Sequence, residues 1–418
     1  MNNAFAWVFL AALLLSTGTR LWLAARQVLY VRAHSDAVPA SFAGAIPLAA
    51  HQKAADYTVV KTRLAMVEVC LSGALVLALS FGGALQGLSD ACARIAPPFG
   101  IAHGVALIVS VAVLLSALEL PLALYRTFVV EARFGFNRMT PKLFVIDLAK
   151  QALISAALGI PLTALVLWLM ARMGELWWIW VWLAWAGFNL LMLLVYPAFI
   201  APLFNKFSPL ADEGLAARIE ALLERCGFRS SGLYVMDGSK RSSHGNAYFT
   251  GFGAAKRIVF FDTLLARLAP GEIEAVLAHE LGHFKRHHVW KRIVLLFAAS
   301  FGLLWALGQL IGQPWFYTDL NVTTKSTATA LLLFVLVTPA FTFFLQPLVS
   351  LLSRRHEFEA DAYAASHSSA GELVRALVKL YQDNAATLTP DPLHSAFYDS
   401  HPPAATRIAK LGAGLRTA

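Results

Sequence analysis

Seven long apolar runs constrain this chain more than any other feature. They lie at roughly 5–25, 64–86, 103–125, 146–172, 176–199, 292–313 and 328–351. A helix of about 20 residues crosses the hydrocarbon of a bilayer, and each run is long enough to do so. Inside lipid every backbone N–H and C=O must be bonded within the chain, so such runs cross as helices. With 58% apolar and 14% charged residues, the chain also falls outside the balance of a soluble globular protein. The expected fold class is a mainly α integral membrane protein with seven transmembrane helices. The first run, "AFAWVFLAALLL", has no basic leader and no clear small-residue cleavage site. It is read as a retained span and not as a signal peptide.

The formal net charge of +9 sits at the borders of these runs. The first loop carries Arg26, Arg32, Lys53, Lys61 and Arg63, and the third carries Arg126, Arg133, Arg138 and Lys142. The second offers Arg94 and the sixth Lys325. By the positive-inside rule the odd loops are cytoplasmic and the N-terminus is outside. The chain divides into 1–199 (helices one to five), 200–291 (a polar segment), 292–351 (helices six and seven) and 352–418 (a polar tail). The two polar segments face the same compartment and can fold together. Basic residues at membrane borders, without an aromatic platform, exclude a nucleic-acid partner. Cys70, Cys92 and Cys226 are far apart and show no metal spacing, which predicts a reducing compartment and no disulfide framework.

Within 200–291 the pattern is α+β. "LAARIEALLERCGF" (215–228) has helical spacing, and "GLYVMD" (232–237) and "RIVFFDTLL" (257–265) read as strands. "GFGAAK" between them has the glycines of a tight turn. A helix is expected to start near Pro270 and to run through "AVLAHELGHFKRHH" (275–288). In the tail, "GELVRALVKLYQDN" (371–384) reads as an amphipathic helix.

H-E-x-x-H on a helix places His279 and His283 one turn apart on one face, where both imidazoles can reach one ion. Glu280 is displaced by about 100° and lies beside the ion, where it can accept a proton from water. Catalytic zinc takes three protein ligands and leaves one position open. The extended metzincin pattern is excluded, because Arg286 and Val289 occupy its later positions. Downstream of His283 the only glutamates are Glu357, Glu359 and Glu372. In "RRHEFEADAYA" (354–364), Glu357 and Asp361 share a helix face. Glu357 there can bind the metal while Asp361 accepts the free ring N–H of a ligand histidine. Glu359 points away and is the weaker candidate. A solvated helix end below a span is the bland alternative. His287 and His288 receive no ligand role and are read as part of a charged membrane-interface end.

These residues resemble the type I CAAX prenyl proteases, integral-membrane zinc endopeptidases with seven spans. The likeness extends beyond HELGH to "GFNRMT" (135–140), "IAPLFNKFSPL" (200–210), "RSSHGNAYFTGFG" (241–253), "KRIVFFDTLL" (256–265), "EFEADAYA" (357–364) and "SHPPAATRI" (400–408). It implies one Zn2+ per chain on His279, His283 and Glu357, with Glu280 as general base and Asp361 behind a ligand histidine. It also implies that Asn246 holds the substrate backbone, that His401 stabilises the oxyanion, and that Arg407 supports the site. The family's helices form a barrel-like chamber, with the α+β zincin-type catalytic domain on its cytoplasmic side. Glu68 and Glu119, in or near apolar spans, either face such a chamber or reach headgroups from span ends.

The expected activity is hydrolysis of peptide bonds, by resemblance the C-terminal processing of prenylated C-a-a-X peptides. The expected partners are a peptide or protein substrate, lipid-modified in the family, and the bilayer itself. The alanine-, leucine- and arginine-rich composition has a bacterial look, which would place the protein in the inner or cell membrane. A broad-specificity quality-control membrane protease is the alternative; that family shares HELGH and E-x-x-x-D but is shorter and lacks the "IAPLFNKFSPL" block. A non-catalytic chaperone or pore with structural zinc is a third reading. The intact glutamate of HELGH speaks against it.

Overall fold

The apolar runs form helices that extend well past their greasy centres. In the computed structural model, which describes residues 3–250 and 257–416, seven segments are long and apolar enough to span a bilayer. They are Ala4–Ala33, Leu48–Leu79, Ile101–Glu131, Pro141–Arg172, Gly174–Phe204, His288–Leu310 and Thr327–His367. Outward-facing side chains such as Leu153 (71% exposed), Phe199 (70%) and Val294 (65%) have no protein neighbours to hide them. An apolar surface of that extent needs lipid. Inside the bundle, Phe9, Leu79, Leu107, Leu167 and Leu333 form a buried core, closed at one end by Phe316 and Tyr317.

Two helices start or end far from the predicted limits, for a common reason. The second begins at Leu48 and not near 64, and its polar first half buries His51, Ala54, Ala55, Tyr57 and Val59. The last span passes through a single 3-10 turn, Phe343–Leu345, into the helix Gln346–His367. Hydropathy marks where a helix meets lipid, whereas these turns are held by protein contacts. The last span thereby delivers the polar stretch 354–364 as a direct continuation of itself.

The two polar segments build one unit. Its sheet contains β1 (Phe207–Pro209), β2 (Leu233–Met236), β3 (Ala247–Thr250) and β4 (Arg257–Phe261), in the order β1-β2-β4-β3. β2 and β4 run parallel, and the outer pairs are antiparallel. The helix Glu213–Arg225 starts at Asp212, whose carboxylate accepts the Leu215 N–H at 2.9 Å. Asp and Ser side chains satisfy free N–H groups at such ends, and Ser369 does so for the helix Ala370–Asp383. Ile219, Leu222, Ile258, Phe260, Ala275 and Leu281 share a buried core with Leu373, Ala376 and Leu411. Residues on both sides of the last two spans thus make one hydrophobic interior.

The stretch 257–265 is strand only as far as Phe261. Asp262 turns the chain into a short helix, Asp262–Leu265, because its carboxylate accepts the N–H groups of Ser239 (2.9 Å) and Thr263 (2.8 Å). The "GFGAAK" turn lies outside the described residues. Among the described residues β3 pairs with β4 alone, at the end of the sheet order.

Candidate metal centre

The motif helix, Pro270–Lys285, begins with Pro270 in its first turn and with the Glu272 carboxylate accepting the Ala269 N–H at 2.7 Å. Its apolar residues Ile273, Leu277, Ala278 and Leu281 are buried in the shared core. It crosses the helix Gln346–His367 at Gly282, where a Cβ would sit 2.9 Å from the Ala360 Cα. Any side chain at Gly282 would push the two helices apart. Glycine in HELGH is therefore the residue that lets the histidines of one helix meet the carboxylate of the other.

They do meet. His279 Nε2 lies 3.2 Å from His283 Nε2, and both lie 3.4 Å from Glu357, one from each carboxylate oxygen. A tetrahedral cation with ligand bonds of about 2.0–2.1 Å spaces its ligand atoms about 3.3 Å apart. Each of these three spacings matches that value within a few tenths of an ångström. Glu357 is 4% exposed and its Oε2 accepts no hydrogen bond. A buried carboxylate oxygen without a partner is costly, and a metal ion removes the cost. This donor set of two imidazoles and one carboxylate fits a divalent cation.

A second layer holds the first in place. Asp361, one turn beyond Glu357, accepts the His279 Nδ1–H at 2.9 Å. That bond leaves the Nε2 lone pair facing Glu357. Burial pushes the His279 imidazole down, but the negative Asp361 and Glu357 carboxylates beside it outweigh burial and carry it up to about 9. Arg407 forks onto Asp361 with Nε at 2.8 Å and Nη2 at 2.5 Å, and its Nη1 lies 3.7 Å from Glu357. Arg407, which the family resemblance implies supports the site, lies behind Asp361.

Glu280 leaves the ligand cluster and lines a cleft of about 590 Å³ together with His279, Asn246 and His401. Burial pushes its carboxyl above the ordinary carboxylate range, so it holds a proton more readily than a solvated glutamate. His401 stands across the cleft, with Nε2 3.4 Å from Glu357 Oε1 and Nδ1 2.9 Å from Ser400 Oγ. Its loop is fixed from the last span, because Arg354 donates to the carbonyls of Ser395, Ala396 and Asp399. It is also tied to the first span, where Arg26 pairs with Asp391 at 2.8 Å. Asn246 is exposed at the start of β3, its Oδ1 accepting the Ala247 N–H at 2.8 Å. Tyr381 also lines the cleft and was not singled out in the sequence.

His288 opens the sixth span, next to Lys285 and Arg286, but its side chain is buried: it is 3% exposed and sits 3.0 Å from His283, with Glu359 on its other side. A spacing of five residues does not share a helix face, so periodicity could not have found it. Glu68 forms an ion pair with Arg126 and also lines a cavity of about 510 Å³ between the first, second, third and last spans, as the chamber-facing alternative anticipated.

The fold is shared with known proteins. Residues 27–206 match the family model described as CAAX prenyl protease N-terminal, five membrane helices, and residues 209–414 match peptidase family M48. The CAAX prenyl protease 1 homolog of Arabidopsis thaliana is 34% identical, with 90% of each chain aligned. The human CAAX prenyl protease 1 homolog is 33% identical over 80% of each chain. The crystal structure of S. mikatae Ste24p superposes with a TM-score of 0.91 at 29% identity, covering 98% of this chain and 99% of that one. The chain is thus a multi-pass integral-membrane metallopeptidase that belongs to family M48 and has CAAX prenyl protease 1 homologues among its relatives.

Proposed function

We propose that the protein is a zinc endopeptidase that trims lipid-modified C-a-a-X peptides, with zinc held by His279, His283 and Glu357. The observation that carries the metal assignment is the 3.2–3.4 Å spacing of His279 Nε2, His283 Nε2 and the two Glu357 oxygens, one of which, Oε2, is buried and accepts no hydrogen bond. When bound, zinc supplies Lewis-acid polarisation of the scissile carbonyl. Glu280 takes the proton of the attacking water and returns it to the leaving amine. His401 donates to the oxyanion from across the cleft, while Asp361 and Arg407 hold His279 in its ligating tautomer.

Substrate geometry is set by the cleft wall. Asn246 offers both a donor and an acceptor to a peptide backbone, and the edge of β3, which among the described residues pairs only with β4, can take an extended strand. Main-chain bonds of that kind place little demand on sequence, which suits a protease that reads a lipid anchor and a chain end. The C-a-a-X assignment is supported by the relatives named CAAX prenyl protease. A cytoplasmic site and an external N-terminus are supported by the basic first and third loops.

The test compares hydrolysis of a farnesylated peptide with that of an unmodified peptide of the same sequence. A kcat/KM at least about tenfold higher for the farnesylated form, about 1.4 kcal/mol of transition-state preference, is expected. Equal rates would remove the lipid-specific reading and favour a broad-specificity membrane protease.

A further inference from the structure

The motif helix ends at Lys285 and the sixth span begins at His288. Between them His287 adopts left-handed backbone, with φ of 56°. A non-glycine residue is uncommon there and costs energy that the surroundings must offset. The sharp turn folds His288 back beneath His283. His288 Nδ1 lies 3.0 Å from His283 Nδ1, and its Nε2 lies 3.0 Å from Glu359 Oε2. Its ring stacks on His356, with centroids 4.0 Å apart and planes 11° from parallel.

These contacts decide where the protons sit. A carboxylate oxygen only accepts, so His288 donates to Glu359 through Nε2. A neutral imidazole has one N–H, which leaves the His288 Nδ1 as an acceptor. The proton in the contact between the two histidines then belongs to His283. His283 donates through Nδ1 and turns the lone pair of Nε2 toward Glu357. We infer that His288 and Glu359 form a positioning pair that fixes the tautomer and ring plane of His283, the counterpart of Asp361 and Arg407 behind His279. Neither residue faces the cleft that holds Glu280, so they act through His283 and not on substrate. The inference rests on the metal site proposed above and adds a second anchored arm to it.

Zinc affinity of the full chain in detergent, measured by competition with a chelator, tests this with three substitutions. Asparagine places an acceptor near the His288 Nδ1 position, whereas glutamine reaches toward Glu359 and leaves that position empty. His288→Ala and His288→Gln are expected to lose about 10–100-fold in zinc affinity, the usual effect of removing an outer partner, and His288→Asn no more than about threefold. Glu359, whose side chain is 45% exposed, provides a variant that does not disturb packing. Glu359→Ala is expected to lose about tenfold. Melting temperatures of the metal-free variants, measured in parallel, are expected to be equal for His288→Asn and His288→Gln. If all variants bind zinc as tightly as the parent, or if His288→Asn is as weak as His288→Ala, the positioning role is wrong while the metal site stands. A parent protein that binds no zinc would overturn the site and this inference together.

Discussion

Glu280→Gln is expected to leave the chain folded and metal-loaded while lowering peptide hydrolysis by about 10²–10⁴-fold, the usual worth of a positioned general base. The residue follows a metal ligand on the motif helix but is rotated away from the ligand triangle and faces the cleft. Glutamine has the same shape and no proton-accepting carboxylate. Burial already favours the neutral form of Glu280, so a neutral amide at this place costs the fold little. Initial rates and metal content should be read on the same preparation. A Glu280→Gln protein that is metal-replete and fully active would end the assignment of Glu280 as the base.

The second large effect falls on stability. Arg407 is 5% exposed and Asp361 4% exposed, and the two form a bidentate pair. Burial opposes the guanidinium charge, yet the bonds to Asp361 outweigh burial and raise it above its ordinary value. Removing one partner of a buried pair leaves the other charge without compensation, at about 3–5 kcal/mol. Arg407→Ala is therefore expected to destabilise by that amount, read as denaturant unfolding in detergent. Arg407→Lys should recover only part of it, because an ammonium cannot fork onto both oxygens. A loss below about 1 kcal/mol, typical of an exposed pair, would show that Asp361 is held by something else.

Local periodicity explains why so much of the centre was readable. His279 and His283 are related by one turn of one helix, and Glu357 and Asp361 by one turn of another, so each pair could be placed on a shared face. The crossing that joins the pairs could not be read from either pattern, since it depends on the close approach of Gly282 and Ala360. His288 was hidden for a related reason: the left-handed turn at His287 breaks the helical count between it and His283. The spans were legible because lipid imposes a strong apolar signal. The buried polar turns of the second span, around His51 and Tyr57, carry no such signal because protein neighbours cover them. At Asp262, a side-chain bond to Ser239 ends a strand that β-propensity alone would have continued.

Metal analysis of the purified full-length chain, beside Glu357→Ala prepared in the same way, addresses the central claim most directly. Two imidazoles and one carboxylate at 3.2–3.4 Å should hold about one zinc per chain, and the truncated variant should hold almost none. An unmetallated parent, or a Glu357→Ala protein that keeps its zinc, would contradict the account.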